Sequence, residues 1–159
     1  MTETKVPQVG EVAPTFQAEA STGPVNLADF QGKQSVVLYF YPKADTSGCT
    51  KQACGFRDAA ADYKKAGVVV LGVSPDPIEK VKKFADKYKL NFPLLADADH
   101  AVCEKYGVWQ QKSMYGRKYM GAARTTFIIG KGGKIEHVLE KVKPEGHEGV
   151  VMELLSKPE

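Results

Sequence analysis

Two cysteines five residues apart, Cys49 and Cys54, stand at the junction between an apolar run and an amphipathic stretch. The junction reads Tyr41-Pro42-Lys43-Ala44-Asp45-Thr46-Ser47-Gly48-Cys49-Thr50, after Ser35-Val36-Val37-Leu38-Tyr39-Phe40. The apolar run predicts a strand buried on both faces. The spacing of Gln52, Phe56, Ala60 and Tyr63 predicts a helix. Cys49 therefore falls where a strand ends and a helix begins. Unpaired N–H groups and the positive end of the helix dipole favour a thiolate there, so the sulfur is expected to be reactive. The alternative is an inert, buried structural cysteine. The Gly, Ser and Thr around Cys49 argue against it, because they make a poor apolar core.

Cys54 has two readings. On an ideal helix, residues five apart are separated by about 8.6 Å between Cα atoms. A disulfide needs about 7 Å or less. Cys49 and Cys54 can bond only if the first turns of the helix unwind, which makes the pair a candidate switch. Otherwise Cys54 packs on the apolar face beside Ala53 and Phe56. Cys103, between Val102 and Tyr106, reads as a small buried hydrophobe. Arg124 enters an apolar run, where an arginine is costly to bury unless paired. Its planar donors suit a thiolate or an oxygen substrate, or it lies at a strand end on the surface. The C-x4-C spacing is not the C-x2-C of zinc ribbons. His100, His137 and His147 are scattered along the chain, so neither a metal nor an organic cofactor is expected.

The elements that must position these residues follow in order. Residues 1–14, with Pro7, Gly10 and Pro14, read as an arm. Phe16–Ala20 and Val25–Leu27 flank a Ser21-Thr22-Gly23-Pro24 turn and suggest a small hairpin. A short turn through Phe30 starts at Asn26 or Asp29 and is closed by Gly32. The helix after Cys49 should run to about Lys65, with Gly67 as its C-cap. Val68–Val73 is a second buried strand, and Ile78, Val81, Phe84, Ala85 and Tyr88 recur at helical spacing. Phe92–Leu95 is a short strand, and a short helix passes through Val102 and Tyr106. The stretch 109–121 reads as irregular. Thr125–Ile129 and Ile135–Val142 form a hairpin over Gly130–Lys134, and residues 145–156 close as a helix. This order implies a mixed central β-sheet with helices on both faces.

The length of 159 residues suits one domain, spanning 1–159. A net charge of +3, spread among interspersed acids, gives no footprint for nucleic acid. No apolar stretch is long enough to span a membrane. Met1–Lys5 lacks the apolar core of a secretion signal, and three cysteines make no disulfide scaffold. A cytoplasmic location is expected.

Pro42-x3-Thr46-x2-Cys49 resembles the P-x3-T-x2-C motif of peroxiredoxins. With Gly48-Cys49-Thr50 and Cys54, the chain is similar to the peroxiredoxin Q subfamily, also called bacterioferritin comigratory proteins. The likeness extends from Gly10-Glu11-Val12-Ala13-Pro14 through Gly72-Val73-Ser74 to Arg124-Thr125-Thr126-Phe127-Ile128. It implies a thioredoxin-like α/β fold and a cysteine-based antioxidant peroxidase. It implies Cys49 as the peroxidatic and Cys54 as the resolving cysteine, with Thr46, Pro42 and Arg124 completing the site. Thr46 and Arg124 would donate to the peroxide oxygens, and Pro42 would shield the thiolate from water. The implied substrates are hydrogen peroxide or alkyl hydroperoxides. The implied reductant is thioredoxin or a glutaredoxin-type dithiol, and the chain would act as a monomer. Ser47 stands where the subfamily often has proline, and it is expected to cap the helix instead. Two other classes fit the residues less well: a redox sensor or relay without steady turnover, and a copper- or zinc-binding thioredoxin-like protein.

Overall fold

A computed structural model describes residues 6–156 of the chain. Its centre is β3, Ser35–Phe40, whose β-branched and aromatic residues favour the extended state. Side chains alternate across a strand. Val36, Leu38 and Phe40 therefore point into one apolar layer, and Val37 and Tyr39 into the other. The first layer also holds Phe16, Tyr106 and Phe127. The second holds Phe56, Tyr63, Phe84 and Val151.

Around β3 the sheet has seven strands. With β3 they are β1 (Gln17–Ala20), β2 (Gly23–Asn26), β4 (Val68–Ser74), β5 (Leu94–Ala96), β8 (Thr125–Ile129) and β9 (Ile135–Leu139), in the order β2-β1-β5-β4-β3-β8-β9. β3, β4 and β5 run parallel, and β8 lies antiparallel to β3. The sheet is thus mixed, as the order of elements implies. The N-terminal hairpin is β1 with β2, and a 3-10 turn over Leu27–Phe30 follows, capped by Asn26. Among the described residues, five helices cover the sheet: α1 (Ser47–Asp58), α2 (Ala60–Lys65), α3 (Ile78–Lys87), α4 (Ala101–Lys105) and α5 (His147–Ser156). Residues of α1, α2, α3 and α5 enter the Tyr39 layer, whereas Val102 and Cys103 of α4 enter the opposite one. Helices therefore flank both faces.

Three expectations change. The stretch 109–121 is not irregular; Trp109–Met114 (β6) and Arg117–Ala122 (β7) form an antiparallel ribbon outside the main sheet. Its turn is Tyr115-Gly116, both at positive φ. The long helix is broken at Ala59 into α1 and α2. The final hairpin strand stops at Leu139 rather than Val142.

Candidate active site

The antiparallel register pairs Phe40, the last residue of β3, with Thr125, the first of β8. That pairing carries Arg124 to the end of β3 from which the chain turns into α1. There Arg124 Nη2 donates to Cys49 Sγ at 3.3 Å, across 75 residues of sequence. Arg124 Nη1 donates to Gln52 Oε1 at 2.6 Å. Gln52 lies one turn beyond Cys49 on α1 and is fully buried. The half-buried Arg124 guanidinium thus donates to the sulfur and to the amide oxygen together. Gln52 entered the sequence reading only as a helical position, yet it is the partner that fixes this guanidinium.

Cys49 is 1% exposed. Its polar sequence neighbours predicted poor burial, but the apolar cluster it joins is built mostly from other elements. Tyr39, Tyr41, Ala53, Ile128 and Val151 belong to the same cluster. Tyr39 stacks on Phe56 with ring centroids 4.9 Å apart. Gly48 keeps the cation close, because a Cβ at that position would lie 3.3 Å from both Arg124 Nη2 and Pro144 Cγ.

The loop before the helix is fixed by side chains from other elements. Ala44 N–H donates to Asp76 Oδ2 at 2.8 Å. Asp45, at φ +60°, accepts from Lys87 Nζ at 2.9 Å and from Tyr88 Oη at 2.8 Å. Lys87 and then Tyr88 hold the Asp45 carboxyl below the usual carboxylate range. Pro42 is half-buried at the start of this loop. Thr46 is the N-cap of α1, with extended backbone and no side-chain capping bond. Its hydroxyl instead donates to the Lys43 carbonyl at 2.9 Å. What remains on Thr46 Oγ1 is acceptor capacity, not the donor expected from sequence. Ser47 is the first helical residue rather than the cap.

Cys54 shares α1 with Cys49, half-exposed and outside both apolar clusters. The two positions differ by about 140° around the helix, from 100° per residue. All three cysteines are free. Cys103 is buried in the other layer, and burial followed by the nearby Asp97 carboxylate pushes its thiol far up. That carboxylate also accepts from the Val102 and Cys103 amides at 3.0 and 2.8 Å.

Two further residues escaped the sequence reading. Lys112 of β6 is half-buried, and burial followed by Arg124 lowers its pKa. It sits in the stretch taken as irregular. His147, the first residue of α5, is 3% exposed, with its Nε2 2.8 Å from Thr126 Oγ1. Its ring meets Phe56 edge-on, at 5.7 Å between centroids. Burial, with Arg124 second, lowers its pKa to about 4, so the ring is neutral near pH 7. Among the described residues, no three His, Cys, Asp or Glu side chains converge to hold a metal. No helix there is long and apolar enough to cross a membrane.

Residues 9–138 match the AhpC/TSA family. The chain is 52% identical over 151 residues to the peroxiredoxin Bcp of Escherichia coli K12, covering 94% of this chain and 96% of that protein. Peroxiredoxin Q of Xanthomonas campestris superposes with a TM-score of 0.85 at 33% identity, covering 97% of each chain. The bacterioferritin comigratory protein of the same organism superposes with a TM-score of 0.83 at 34% identity, covering 88% of this chain and 89% of that one. That protein was solved as a trapped intermediate and ligand complex bearing on its alkyl peroxide reduction.

Proposed function

As the chain belongs to the AhpC/TSA family and to its Bcp-type peroxiredoxins, which makes it a thiol-dependent peroxidase of thioredoxin-like fold, we propose that Cys49 is the sulfur that attacks peroxide. The observation that carries this reading is the 3.3 Å contact from Arg124 Nη2 to Cys49 Sγ. The Cys49 thiolate attacks one peroxide oxygen. The O–O bond breaks, the distal oxygen leaves as hydroxide or alkoxide, and Cys49 becomes a sulfenic acid. Negative charge moves from sulfur onto the leaving oxygen, so a donor in reach of both stabilises the transition state. Arg124 is that donor. Thr46 Oγ1, its own O–H donating to the Lys43 carbonyl, accepts from the peroxide O–H. Pro42 bounds the site without adding a competing N–H.

Cys54 then attacks the sulfenic sulfur and expels water, leaving a Cys49–Cys54 disulfide. The two sit on one continuous helix, so α1 must unwind for the sulfurs to meet. An external dithiol of thioredoxin type restores both thiols by exchange. The substrates are hydrogen peroxide and alkyl hydroperoxides; alkyl peroxide reduction is the activity named for the Xanthomonas campestris relative. The whole chain acts as one domain, as a monomer in the cytoplasm.

The test is steady peroxide consumption by the wild type and by Cys49→Ser, with thioredoxin and its reductase supplied. Turnover should vanish in the variant. Turnover that survives would move the chemistry to another residue. A single oxidation of the wild type without turnover would favour a sensor.

A further inference from the structure

α1 is held at both ends by one residue of a neighbouring helix. Tyr88, which closes α3, donates its hydroxyl to Asp45 Oδ1 at 2.8 Å, just before α1 begins. The Tyr88 carbonyl accepts from Arg57 Nη1 at 2.7 Å, in the last turn of α1. Lys87 Nζ reinforces the first end at 2.9 Å from Asp45 Oδ2. Asn91 Nδ2 reinforces the second at 3.3 Å from the Arg57 carbonyl. The Tyr88 ring packs edge-on against Phe84, 5.5 Å between centroids, and Phe84 is in the core. Asp45 holds a left-handed φ of +60°. For a residue with a Cβ that conformation persists only when its surroundings hold it.

We propose that Tyr88 is a positioning residue that braces both ends of α1 and confines its unwinding to the residues between Asp45 and Arg57. The proposal rests on the reading that Cys54 resolves Cys49. Both cysteines lie inside the braced interval. Bringing their Cα atoms from about 8.6 Å to about 7 Å is a local contraction that requires neither anchor to move. Confinement also matters kinetically. Each residue freed from the helix gains backbone conformational freedom, so a short segment held at both ends samples fewer states and returns Cys54 to Cys49 more often. The anchored Asp45 keeps Thr46 in place for the helix to re-form once the disulfide is reduced.

The test is hydrogen exchange, resolved by residue, on reduced and oxidised protein, with mass spectrometry of the disulfide alongside. Two amides mark the boundaries. Ala44 N–H is bonded to Asp76 Oδ2, and Ala66 N–H to the Asp62 carbonyl beyond the Ala59 break. Oxidised wild type should lose protection within α1 and keep it at Ala44 and Ala66. Tyr88→Phe retains the ring and the carbonyl bond to Arg57 but removes the hydroxyl. In its oxidised form protection at Ala44 should fall, and disulfide formation should slow by about 3- to 10-fold, the equivalent of one hydrogen bond. Asp45→Ala should behave the same way. Asp45→Asn, which tolerates positive φ and keeps an acceptor, should restore the wild-type pattern. Loss of protection at Ala44 or Ala66 in oxidised wild type would overturn the proposal, as would unchanged boundaries in both Tyr88→Phe and Asp45→Ala. Oxidised wild type without a Cys49–Cys54 bond would instead overturn the resolving role of Cys54.

Discussion

Gln52 Oε1 accepts a 2.6 Å hydrogen bond from the guanidinium of Arg124, whose other terminal nitrogen lies 3.3 Å from Cys49 Sγ. One helical turn thus carries both the sulfur and the group that aims the cation at it. Removing a positioned donor costs about 10²–10³ in rate, and Arg124→Ala should slow sulfenic acid formation by that much. Gln52→Ala leaves the guanidinium present but unsupported. Its cost should be about 10-fold, as for one hydrogen bond to a charged group. Rapid-mixing measurement of the peroxide step checks both. An unchanged rate in Gln52→Ala would show that Arg124 needs no support from α1.

Cys54 and Cys103 should separate cleanly in peroxide-treated protein. Cys54→Ser should still form the sulfenic acid but no intramolecular disulfide, and should proceed to sulfinic acid at high peroxide. Cys103→Ala should leave the disulfide rate unchanged, because Cys103 is buried in the layer opposite Cys49. Peptide mapping by mass spectrometry decides. A dominant bond between Cys49 and Cys103 would require the sheet itself to open.

Much of this arrangement was legible because it is local. Ser35–Phe40 announces a central strand by composition, and the P-x3-T-x2-C spacing survives in any window that contains it. The ribbon at Trp109–Ala122 was not legible. Only Ala122 among its described side chains is buried, so no alternation of apolar and polar residues marks a core face. Its one local signal is Tyr115-Gly116 at the turn, where Tyr115 is 98% exposed. The burial of Cys49 was misjudged for the opposite reason. Its immediate neighbours are polar, whereas the apolar cluster it joins also holds Tyr39, Ile128 and Val151, brought together only by the fold. Arg124 was a candidate by type. Its distance to the sulfur depends on the pairing of Phe40 with Thr125, which no local pattern encodes.

Gly55 illustrates how a local rule and a tertiary contact compete. In the sequence it reads as a weak point in a helix, since glycine costs about 1 kcal/mol relative to alanine. In the structure a Cβ there would collide with the Glu148 carboxylate of α5, and Glu148 Oε2 is buried without a hydrogen-bond partner among the described residues. Gly55→Ala alone therefore mixes a stiffer helix with a displaced α5. In a Glu148→Ala background the clash is gone. There Gly55→Ala should slow disulfide formation by about fivefold, the factor that 1 kcal/mol represents. With Glu148 present the slowing should be smaller or reversed. Quenched time courses of disulfide formation in the four proteins make the comparison. Equal effects in both backgrounds would show that the Glu148 contact does not bear on the unwinding of α1.

Folding stability should carry an acid limb set by His147. The ring sits between Thr126 Oγ1 at 2.8 Å and the edge of Phe56, with Arg124 among the charges that act on it. Burial, with Arg124 second, lowers its pKa from 6.5 to about 4 in the folded protein. Between those values the unfolded chain binds more protons than the folded one, so stability rises with pH across that window. The contribution is complete above about pH 6.5 and is lost as pH falls towards 4. Its full size is about 3 kcal/mol, at 1.36 kcal/mol per pH unit of displacement. Carboxylates titrate in the same region, so the comparison must be differential. Urea unfolding of wild type and His147→Gln at pH 7.5, 6, 5 and 4 supplies it. The difference in stability between the two should be largest at pH 7.5 and shrink towards pH 4, as the wild type alone loses the His147 contribution. A difference constant with pH would mean that His147 titrates alike in the folded and unfolded chains. Because His147 packs on Phe56 of α1, the same acid limb should appear in the exchange of α1 amides at lower free energy than global unfolding.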